Sequence, residues 1–420
     1  MKPDSAISLW DTSATEARLT QSFDGDQSTD LAIVGGGFTG LSTALHAASA
    51  GHDCMVLEAE SLGHGGSGRN VGLVNAGVWL PPSRVQRLMG DDRGRRFVEY
   101  FGAAPDYVFD LIEKHQIRCE ATRCGTIHAA HAPSGMADLT ARADDWRALS
   151  APVDLLSRDE IAPMIGSQAF HGGLIDRRAG TINPMGYVRG LARAASAAGA
   201  RITTDTRVTK LSRDGDHWHL TTPRGTVRAR HVVLGTNAYS DDLWPGLRRS
   251  LTLIPFFQLA SEPLGEAGTH ILPGGQGLWD TAPVMFSMRR DTAGRLIVGS
   301  MGSVHPRLSH RWASRQIRRI FPELGPVAFP TAWHGQIAMT PDHLPRIHRL
   351  ADGLYTPIGY NGRGITTGTL FGKAMADLLS GTPEAELPMP LSGVAPDRAG
   401  ALKSRVYRLG FTLNQLIKSI

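Results

Sequence analysis

Hydrophobic and polar positions near the start of the chain change from one period to another. Leu31 to Val34 form a short apolar run that ends in glycines, which is typical of a buried parallel strand. From Phe38 to Ala50, small and apolar residues recur at three- and four-residue spacing, which predicts a helix. Residues 54–58 form a second apolar run. These segments predict a βαβ unit of about 30 residues, and right-handed crossover makes its strands parallel neighbours.

Further helices and strands are predicted along the rest of the chain. Helical spacing covers 91–118, with a break at Pro105, and a capping box at 157–160 predicts another helix start. Asn183 is placed to cap a helix that runs to about residue 198. Short strands are predicted at 202–204, 208–212, 217–222, 227–229, 232–235, 251–254 and 296–299. A glycine cluster at 359–368 precedes a last apolar helix to about residue 379.

The motif Gly35-x-Gly37-x-x-Gly40 lies between the first predicted strand and the first helix. The first glycine permits a tight turn, the second lets backbone approach a pyrophosphate, and the third permits close helix–strand packing. The helix N-terminus adds free N–H groups and a positive dipole end. Glu58 ends the next strand, where a carboxylate can accept hydrogen bonds from ribose hydroxyls. We predict a dinucleotide site here; the alternative is a compact strand–helix turn without a ligand.

Composition and charge narrow the classes of protein that fit. Apolar residues make up 41% and charged residues 20% of the chain, which argues against disorder. The 48 glycines among 420 residues exceed the average of about 7% and cluster in loops, where backbone approaches other groups closely. The net charge of +5 is scattered, so we expect no nucleic-acid partner. Three cysteines without a C-x-x-C pair indicate neither a disulfide framework nor a metal site.

The beginning of the chain carries no targeting pattern. The first eleven residues lack a basic segment followed by an apolar one, so we expect no signal peptide and a cytoplasmic location. Residues 31–51 contain no charged side chain except for one histidine, but glycines interrupt the apolar run. We therefore expect no membrane span there.

A second glycine-rich loop, Gly65-Gly66-Ser67-Gly68-Arg69-Asn70-Val71-Gly72, follows the acidic strand. With this loop the sequence resembles the D-amino-acid-oxidase-like family of FAD-dependent oxidoreductases, and it is most similar to the branch of gamma-glutamylputrescine oxidase and its relatives. Three later segments extend the resemblance, at 232–239, 333–345 and 359–365. The last of these is similar to the final flavin motif of the family, G-x-x-G-x-G.

The resemblance implies which residues contact the cofactor, FAD. The early loop would lie along the pyrophosphate and ribityl chain, and the backbone of Val208 would meet the adenine. The last motif and the helix after it would stabilise negative charge at the N1/C2=O edge of the flavin. The implied contacts are Gly35, Gly37, Phe38, Thr39, Gly40, Glu58, Ala59, Gly66, Ser67, Gly68, Arg69, Asn70, Val71, Gly72, Val208, Thr236, Asn237, Gly335, Gly359, Asn361, Gly362, Arg363, Gly364 and Ile365.

We predict an α/β fold with a Rossmann-type FAD-binding domain assembled from separated segments. An inserted α+β substrate domain would carry an antiparallel sheet. The FAD-binding domain is assigned 30–85, 150–240 and 330–382, and the substrate or cap domain 86–149 and 241–329. An N-terminal arm, 1–29, and a C-terminal tail, 383–420, flank them.

The resemblance also bears on how FAD is held. Some relatives tether FAD through a cysteine shortly before T-P-D, and others through a histidine in the early loop. Those positions fall near Gly335 and Asn70, and neither residue can form the bond. We therefore predict non-covalent FAD.

Family chemistry implies removal of a hydride from a carbon bonded to an amine nitrogen. The hydride passes to flavin N5, and the resulting imine is hydrolysed. We predict an FAD-dependent oxidase or dehydrogenase that acts on a small amine or amino acid, with O₂ or a quinone as electron acceptor. No metal is predicted. Two alternatives stay open: a flavin enzyme acting on a modified nucleoside in RNA, and a non-catalytic FAD-containing subunit of an electron-transfer complex.

Four residues are candidates for the substrate pocket: Arg289, His334, Tyr360 and Arg363. In amino-acid-oxidising relatives, an arginine near the position of Arg289 binds the substrate carboxylate. Strand alternation sends Arg289 and Arg290 to opposite faces, so one of them at most faces the flavin. The alternatives are two solvated arginines and, at position 334, a structural histidine.

Aromatic residues offer two further candidates. Trp79 follows the early loop and either walls the pocket or packs elsewhere. Phe256 and Phe257 are adjacent and fit a core better than a substrate platform.

The C-terminal tail predicts an amphipathic basic helix. Leu402, Val406, Leu409, Leu413, Leu416 and Ile420 fall at three- to four-residue steps, and all the charged residues among them are basic. Such a helix can pack on its own body, on another subunit or on an anionic membrane surface.

Overall fold

The computed structural model describes residues 7–305 and 307–419, which fold around two large sheets. The strands are β1 (Gln27–Val34), β2 (Cys54–Leu57), β3 (Leu73–Val74), β4 (Thr126–Ala129), β5 (Val153–Ser157), β6 (Gly172–Asp176), β7 (Gly180–Thr181), β8 (Arg201–Thr203), β9 (Lys210–Asp214), β10 (His217–Thr222), β11 (Gly225–Leu234), β12 (Thr252–Pro263), β13 (Gly277–Asp280), β14 (Phe286–Arg290), β15 (Arg295–Met301), β16 (Thr331–Met339), β17 (Arg346–Ala351), β18 (Leu354–Ile358) and β19 (Leu391–Ser392). The helices are α1 (Leu9–Ser13), α2 (Phe38–Ser49), α3 (Pro82–Met89), α4 (Asp91–Gly102), α5 (Ala104–Lys114), α6 (Pro133–Arg147), α7 (Arg158–Ile165), α8 (Pro184–Ala197), α9 (Leu308–Ile320), α10 (Gly364–Leu379) and α11 (Gly400–Ile417).

The first sheet has the parallel centre that the βαβ pattern predicts. Its order is β19-β17-β18-β11-β1-β2-β8, and β9 and β10 extend it from β11. The five strands from β18 to β8 run parallel to one another. β2 is buried at every position. Cys54 and Val56 belong to the hydrophobic core that includes α2, and Met55 and Leu57 belong to the core that includes β10. The carboxyl ends of these strands therefore meet at one edge.

Helices α2, α8 and α10 pack against one another beside this sheet. A Cβ at Gly40 would overlap the carbonyl oxygen of Gly35, so this glycine permits the close approach of α2 to β1. A Cβ at Gly372 would lie 2.5 Å from the Cβ of Ser42, so a second glycine lets α10 approach α2. The helix after the motif therefore lies against its strand at the distance that a Rossmann unit requires.

The second sheet has eight strands in the order β16-β12-β15-β14-β13-β4-β6-β5. All its neighbours are antiparallel except β13 and β4. The mixed fold of two sheets is the α/β architecture with an antiparallel second unit that the sequence predicts.

Three strands lie in a different sheet from the one that we predicted. β5, β6 and β16 fall within 150–240 and 330–382, which we assigned to the FAD-binding domain, yet they pair with strands of the second sheet. The assignment of these strands is wrong because sheet membership depends on a distant partner, such as β12 for β16. The remaining domain boundaries stay predictions.

Most of the predicted helices and strands are present, but some of them begin or end at other residues. The helix predicted over 91–118 is two helices, α4 and α5, and Pro105 lies in the first turn of α5. The two strands predicted at 227–229 and 232–235 are one strand, β11, and the strand predicted at 208–212 starts at Lys210. The capping box at Ser157 and Glu160 and the Asn183 cap are both present.

Candidate cofactor and substrate site

A cavity of about 840 Å³ is lined by residues of both sheets. This volume is within the range of small-molecule and cofactor sites. The lining begins with the ends of β1 and β2 and the first residues of α2. It continues along the early glycine-rich loop to the start of α10, the second sheet and two residues of α11.

The turn between β1 and α2 forms one wall of the cavity. Gly35 has a φ of +107°, which a residue with a side chain rarely adopts. A Cβ at Gly37 would lie 2.8 Å from Ser67 Oγ, which itself accepts a hydrogen bond from Phe38 N at 3.1 Å. The early loop therefore closes on the N-terminus of α2, where backbone N–H groups favour an anion.

Glu58 lies at the end of β2 and lines the same wall. Its carboxylate accepts hydrogen bonds from Gly36 N at 2.6 Å and Glu60 N at 2.9 Å. Burial is the largest influence on this group and raises the pKa of Glu58 above the usual range of a glutamate. The two bonds fix the carboxylate beside the glycine turn, as a ribose-binding acid requires.

Arg69 and Asn70 hold the early loop in shape. Arg69 donates from Nε to the His64 carbonyl at 2.7 Å and from Nη1 to the His334 carbonyl at 3.1 Å. Asn70 Oδ1 accepts from Gly72 N at 2.9 Å. The two side chains that we predicted as polar contacts of FAD therefore also tie the loop to itself and to β16.

The turn before α10 forms the opposite end of the cavity. Asn361 has a φ of +50°, and its Oδ1 accepts from Thr340 N at 2.9 Å. The hydroxyls of Tyr360 and Thr39 share a hydrogen bond of 2.6 Å, which joins this turn to α2. The first N–H groups of α10, which have no partner within the helix, face the cavity at Gly364 and Ile365.

Arg363 is a buried charged group in the wall of the cavity. Its side chain is 8% exposed and forms no ion pair with any residue that the structure describes. The guanidinium lies 4.9 Å from the ring centroid of Trp279, and its Nε has no hydrogen-bond partner within the described ranges. Burial first, and then the charge of Arg142, lower the pKa of Arg363 to about 9.

Most of the predicted residues meet in this cavity. Those that line it are Gly35, Gly37, Phe38, Thr39, Glu58, Ala59, Gly66, Ser67, Arg69, Asn70, Val71, Val208, Thr236, Asn237, Tyr360, Asn361, Gly362, Arg363, Gly364 and Ile365. Five predicted glycines lie behind the lining: Gly40, Gly68, Gly72, Gly335 and Gly359. Each of these five packs so closely against a neighbour that an added Cβ would collide.

Arg289 and His334 do not line the cavity. Arg289 is on the same face of β14 as Ser287, which does line it, but lies farther along the strand. There it donates to the Ile182 carbonyl, and its guanidinium lies 5.3 Å from the Trp10 ring. Arg290 faces away and donates to the Gly268 carbonyl at 3.1 Å, as alternation predicts. The placement of Arg289 at the substrate pocket is therefore wrong, because the N-terminal arm and the segment at Ile182 cover it.

His334 lies in β16, two positions before the lining residue Gln336. Its carbonyl receives the Arg69 bond. Its place in the substrate pocket stays a prediction, and its carbonyl helps to hold the early loop.

Trp79 and Phe256 line the cavity, whereas Phe257 packs in the core against Trp312. Several residues of the second sheet and the last helix that we did not predict line it as well: Gln258, Trp279, Ser287, Met301, Tyr407 and Phe411. Strand alternation places Ser287 on the same face of β14 as Arg289, and this is the only sequence signal for it. The other five residues belong to no recognised motif.

The cavity fits a dinucleotide with a flavin ring. It has a glycine turn and a helix N-terminus suited to phosphate, a fixed carboxylate beside them, and a second helix N-terminus at its far end. A Cβ at Gly37 would fill the space at the glycine turn that a phosphate needs. Residues of β1, the early loop, β11 and α10 would hold FAD there.

Comparison with known proteins agrees with this site. Residues 30–378 match the DAO family, FAD dependent oxidoreductases, and the chain belongs to that family. It is therefore an FAD-dependent oxidoreductase, which argues against a non-catalytic subunit.

Two relatives cover most of the chain. A probable oxidoreductase OrdL of Rhizobium meliloti is 30% identical over 85% of this chain and 84% of that protein. Gamma-glutamylputrescine oxidoreductase of Escherichia coli is 29% identical over 84% of each. Among solved structures, glycine oxidase of Geobacillus kaustophilus has a TM-score of 0.72 at 22% identity and covers 87% of this chain and 99% of that one. It shares the fold.

Proposed function

We propose that this enzyme oxidises the C–N bond of an amine or amino acid that carries a carboxylate, and that Arg363 binds this carboxylate. The observation that carries the proposal is a buried guanidinium in the cavity wall without an acidic partner. A buried charge is costly unless it is paired. A substrate carboxylate would supply the pair, and a planar guanidinium binds carboxylates in bidentate geometry.

Neighbouring side chains favour an anion and an amine at this end of the cavity. The Trp279 ring contacts both the Arg363 guanidinium and the His128 ring, and the centroids of Trp279 and His128 are 4.8 Å apart. Gln258 Oε1 is buried and has no hydrogen-bond partner within the described residues, so it can accept from a substrate N–H. Nε of Arg363 is a donor and Oε1 of Gln258 an acceptor in the lining of the same cavity, the kinds of group that a carboxylate and an N–H would bind.

The residues would bind and orient the substrate rather than react with it. Bound FAD supplies the redox chemistry by accepting a hydride from the carbon next to the nitrogen. The substrate nitrogen must be neutral to release that hydride, and the resulting imine takes up water to give a carbonyl compound and an amine. Arg363 would orient the carbon by holding the carboxylate, an effect that positioning residues achieve in many enzymes.

The test compares substrates with and without a carboxylate. Arg363→Met should raise the KM of carboxylated amines by about 100-fold, the loss of about 3 kcal/mol expected for a charged hydrogen bond. Amines without a carboxylate should keep their KM. The measurement is flavin bleaching at about 450 nm, the absorbance that reduction removes, on anaerobic mixing with paired substrates.

Arg177 provides the matched control. It is an exposed arginine paired with Asp154 at the edge of the second sheet. Arg177→Met should leave both substrate sets unchanged. Equal loss of reduction for both sets in Arg363→Met would contradict the proposal and would assign this arginine to the flavin instead. Reoxidation of the bleached enzyme by O₂ or by a soluble quinone then distinguishes an oxidase from a dehydrogenase.

A further inference from the structure

Helix α11 packs on the body through Phe411 and through polar and small residues, whereas its large aliphatic residues are exposed. Ser404 Oγ accepts a hydrogen bond from Leu253 N at 3.0 Å, and Gln415 Nε2 donates to Ser309 Oγ at 2.8 Å. Gly400, Phe411 and Gln415 are the buried residues of the helix. These contacts hold one face of α11 against β12 and α9.

The apolar series of α11 faces away from the body. Seven of the eleven exposed large hydrophobic residues of the described chain lie on this helix. At 3.6 residues per turn, six of them fall within an arc of about 100°, opposite the packed face: Leu402, Val406, Leu409, Leu413, Leu416 and Ile417. Leu409 is 74% exposed. The predicted series is thus real but unpartnered, and its last member, Ile420, lies outside the described residues.

The charges around this apolar face are basic. Neither α9 nor α11 contains Asp or Glu, and together they carry seven arginines and lysines: Lys403, Arg405, Arg408, Arg311, Arg315, Arg318 and Arg319. Lys403 is partly neutralised by Asp397 at 3.0 Å. At the end of α11, Ile417 and Lys418 line a groove with three arginines of α9, in which Asp280 is the acidic residue.

We propose that α11 lies in the surface of an anionic lipid bilayer, with its outward face among the acyl chains and its basic neighbours at the headgroups. An apolar face flanked by lysines and arginines is the signature of an interfacial helix, and anionic headgroups attract clustered basic residues. None of the helices within 7–305 and 307–419 is long and apolar enough to cross a membrane. The contact is therefore peripheral.

Charge favours lipid over a second copy of the chain. A symmetric pair would bring identical surfaces together, so Arg405 and Arg408 of one copy would approach those of the other. Neither helix offers an acid to compensate them. The headgroups of an anionic lipid surface would neutralise the positive charges of both helices.

The same helix borders the cavity. Tyr407 and Phe411 stack with their centroids 5.7 Å apart, and both line it. Docking of α11 would therefore bring this wall of the cavity near the lipid surface.

The experiment measures co-sedimentation of the FAD-loaded full chain with phosphatidylcholine vesicles, with and without phosphatidylglycerol. We expect binding to the anionic vesicles that is about tenfold or more tighter and weakens as salt rises. The triple variant Leu402→Gln, Leu409→Gln and Leu413→Gln should lose that binding. Leu88→Gln changes a leucine that is 49% exposed on α3 and should bind as the unaltered protein does. Flavin spectra of all variants should stay the same, because none of these leucines is buried.

Arg405→Gln with Arg408→Gln should reduce the preference for anionic vesicles while leaving the flavin spectrum unchanged. Failure of the unaltered protein to sediment with anionic vesicles at low salt overturns the proposal, as does undiminished binding by the triple leucine variant. A dimer in size-exclusion chromatography with light scattering, converted to a monomer by the leucine variant, would also overturn it and assign the face to a second copy. None of these readouts depends on the substrate proposed above.

Discussion

At the scale of single residues, two buried arginines show how surroundings decide a role. Arg289 and Arg363 are both almost fully buried. Arg289 donates to a backbone carbonyl and lies over Trp10, beyond the cavity. Arg363 lies in the cavity wall over Trp279, close enough to Arg142 for their charges to interact. The two residues are of the same type, but only Arg363 lies where it can contact a molecule in the cavity.

The pKa of Arg363 gives a prediction about pH. Its surroundings include Arg142 and neutral His128, whose pKa burial holds well below its usual range, and Asp176, whose charge raises the pKa of Arg363. Below about pH 9 the guanidinium is charged and binds an anion; above it the charge is lost. The Kd of a simple carboxylate inhibitor should therefore stay constant up to that pH and then weaken by roughly tenfold per pH unit.

A carboxylate without an amino group is the right probe, because the titration of a substrate amine would obscure that of Arg363. The shift of the flavin spectrum on binding reports the Kd. The matching uncharged amide should bind independently of pH. A carboxylate Kd that stays flat up to pH 10.5 would show that Arg363 keeps its charge above the value of about 9. Loss of carboxylate binding in Arg363→Met then tests whether this arginine holds the anion.

At the scale of elements, helix ends and strand ends build the cofactor wall. α2 begins at Phe38, directly after the glycine turn, and α10 begins at Gly364, directly after the second turn. α8 supports α2 from behind and is itself held by a buried cap: Asn183 Oδ1 accepts from Gly186 N at 3.0 Å. The position of the N-terminus of α2 therefore depends on the glycines that permit its close packing and on the capped helix behind it.

Removing the Asn183 cap should destabilise the protein. Asn183 is 1% exposed, and its Nδ2 also donates to Ser13 Oγ at 3.0 Å. Asn183→Ala should therefore lower the free energy of unfolding by about 2 kcal/mol, the upper end for a lost cap. Thermal unfolding followed by circular dichroism measures the change.

Asn183→Ser is the matched control, because its neutral hydroxyl can accept from Gly186 N as a cap while the amide donor is lost. It should cost less than Asn183→Ala. Equal destabilisation by both variants would place the stabilising effect in the donor bonds to Ser13 and Glu120 rather than in the cap.

At the scale of the whole molecule, the cavity is lined by segments that are far apart in the sequence. Its lining extends from Val34 to Phe411 and draws on both sheets. Binding of FAD would therefore join the parallel sheet to the second sheet.

The residues that line the cavity also predict that FAD is bound without a covalent bond. Asn70 lines the cavity, Gly335 lies behind it, and none of the cysteines Cys54, Cys119 and Cys124 is in the lining. Acid denaturation of the purified holoenzyme should release all of its flavin into the supernatant. A yellow pellet that persists after washing would contradict non-covalent binding. His64 lines the cavity as well, so His64→Gln would then be the variant to test for a tether.

The amino-acid sequence by itself determined the first βαβ unit, the glycine turns, the capped helices and the family, because each depends on neighbouring residues or on a short pattern. The residues around Gly35, Ser67 and Asn361 were found in this way and do line one cavity. The membership of β5, β6 and β16 in the second sheet, the burial of Arg289 under Trp10, and the outward turn of the α11 leucines were decided by tertiary structure. These features depend on which distant segment covers a given face, and periodicity shows that a face exists but not what packs on it.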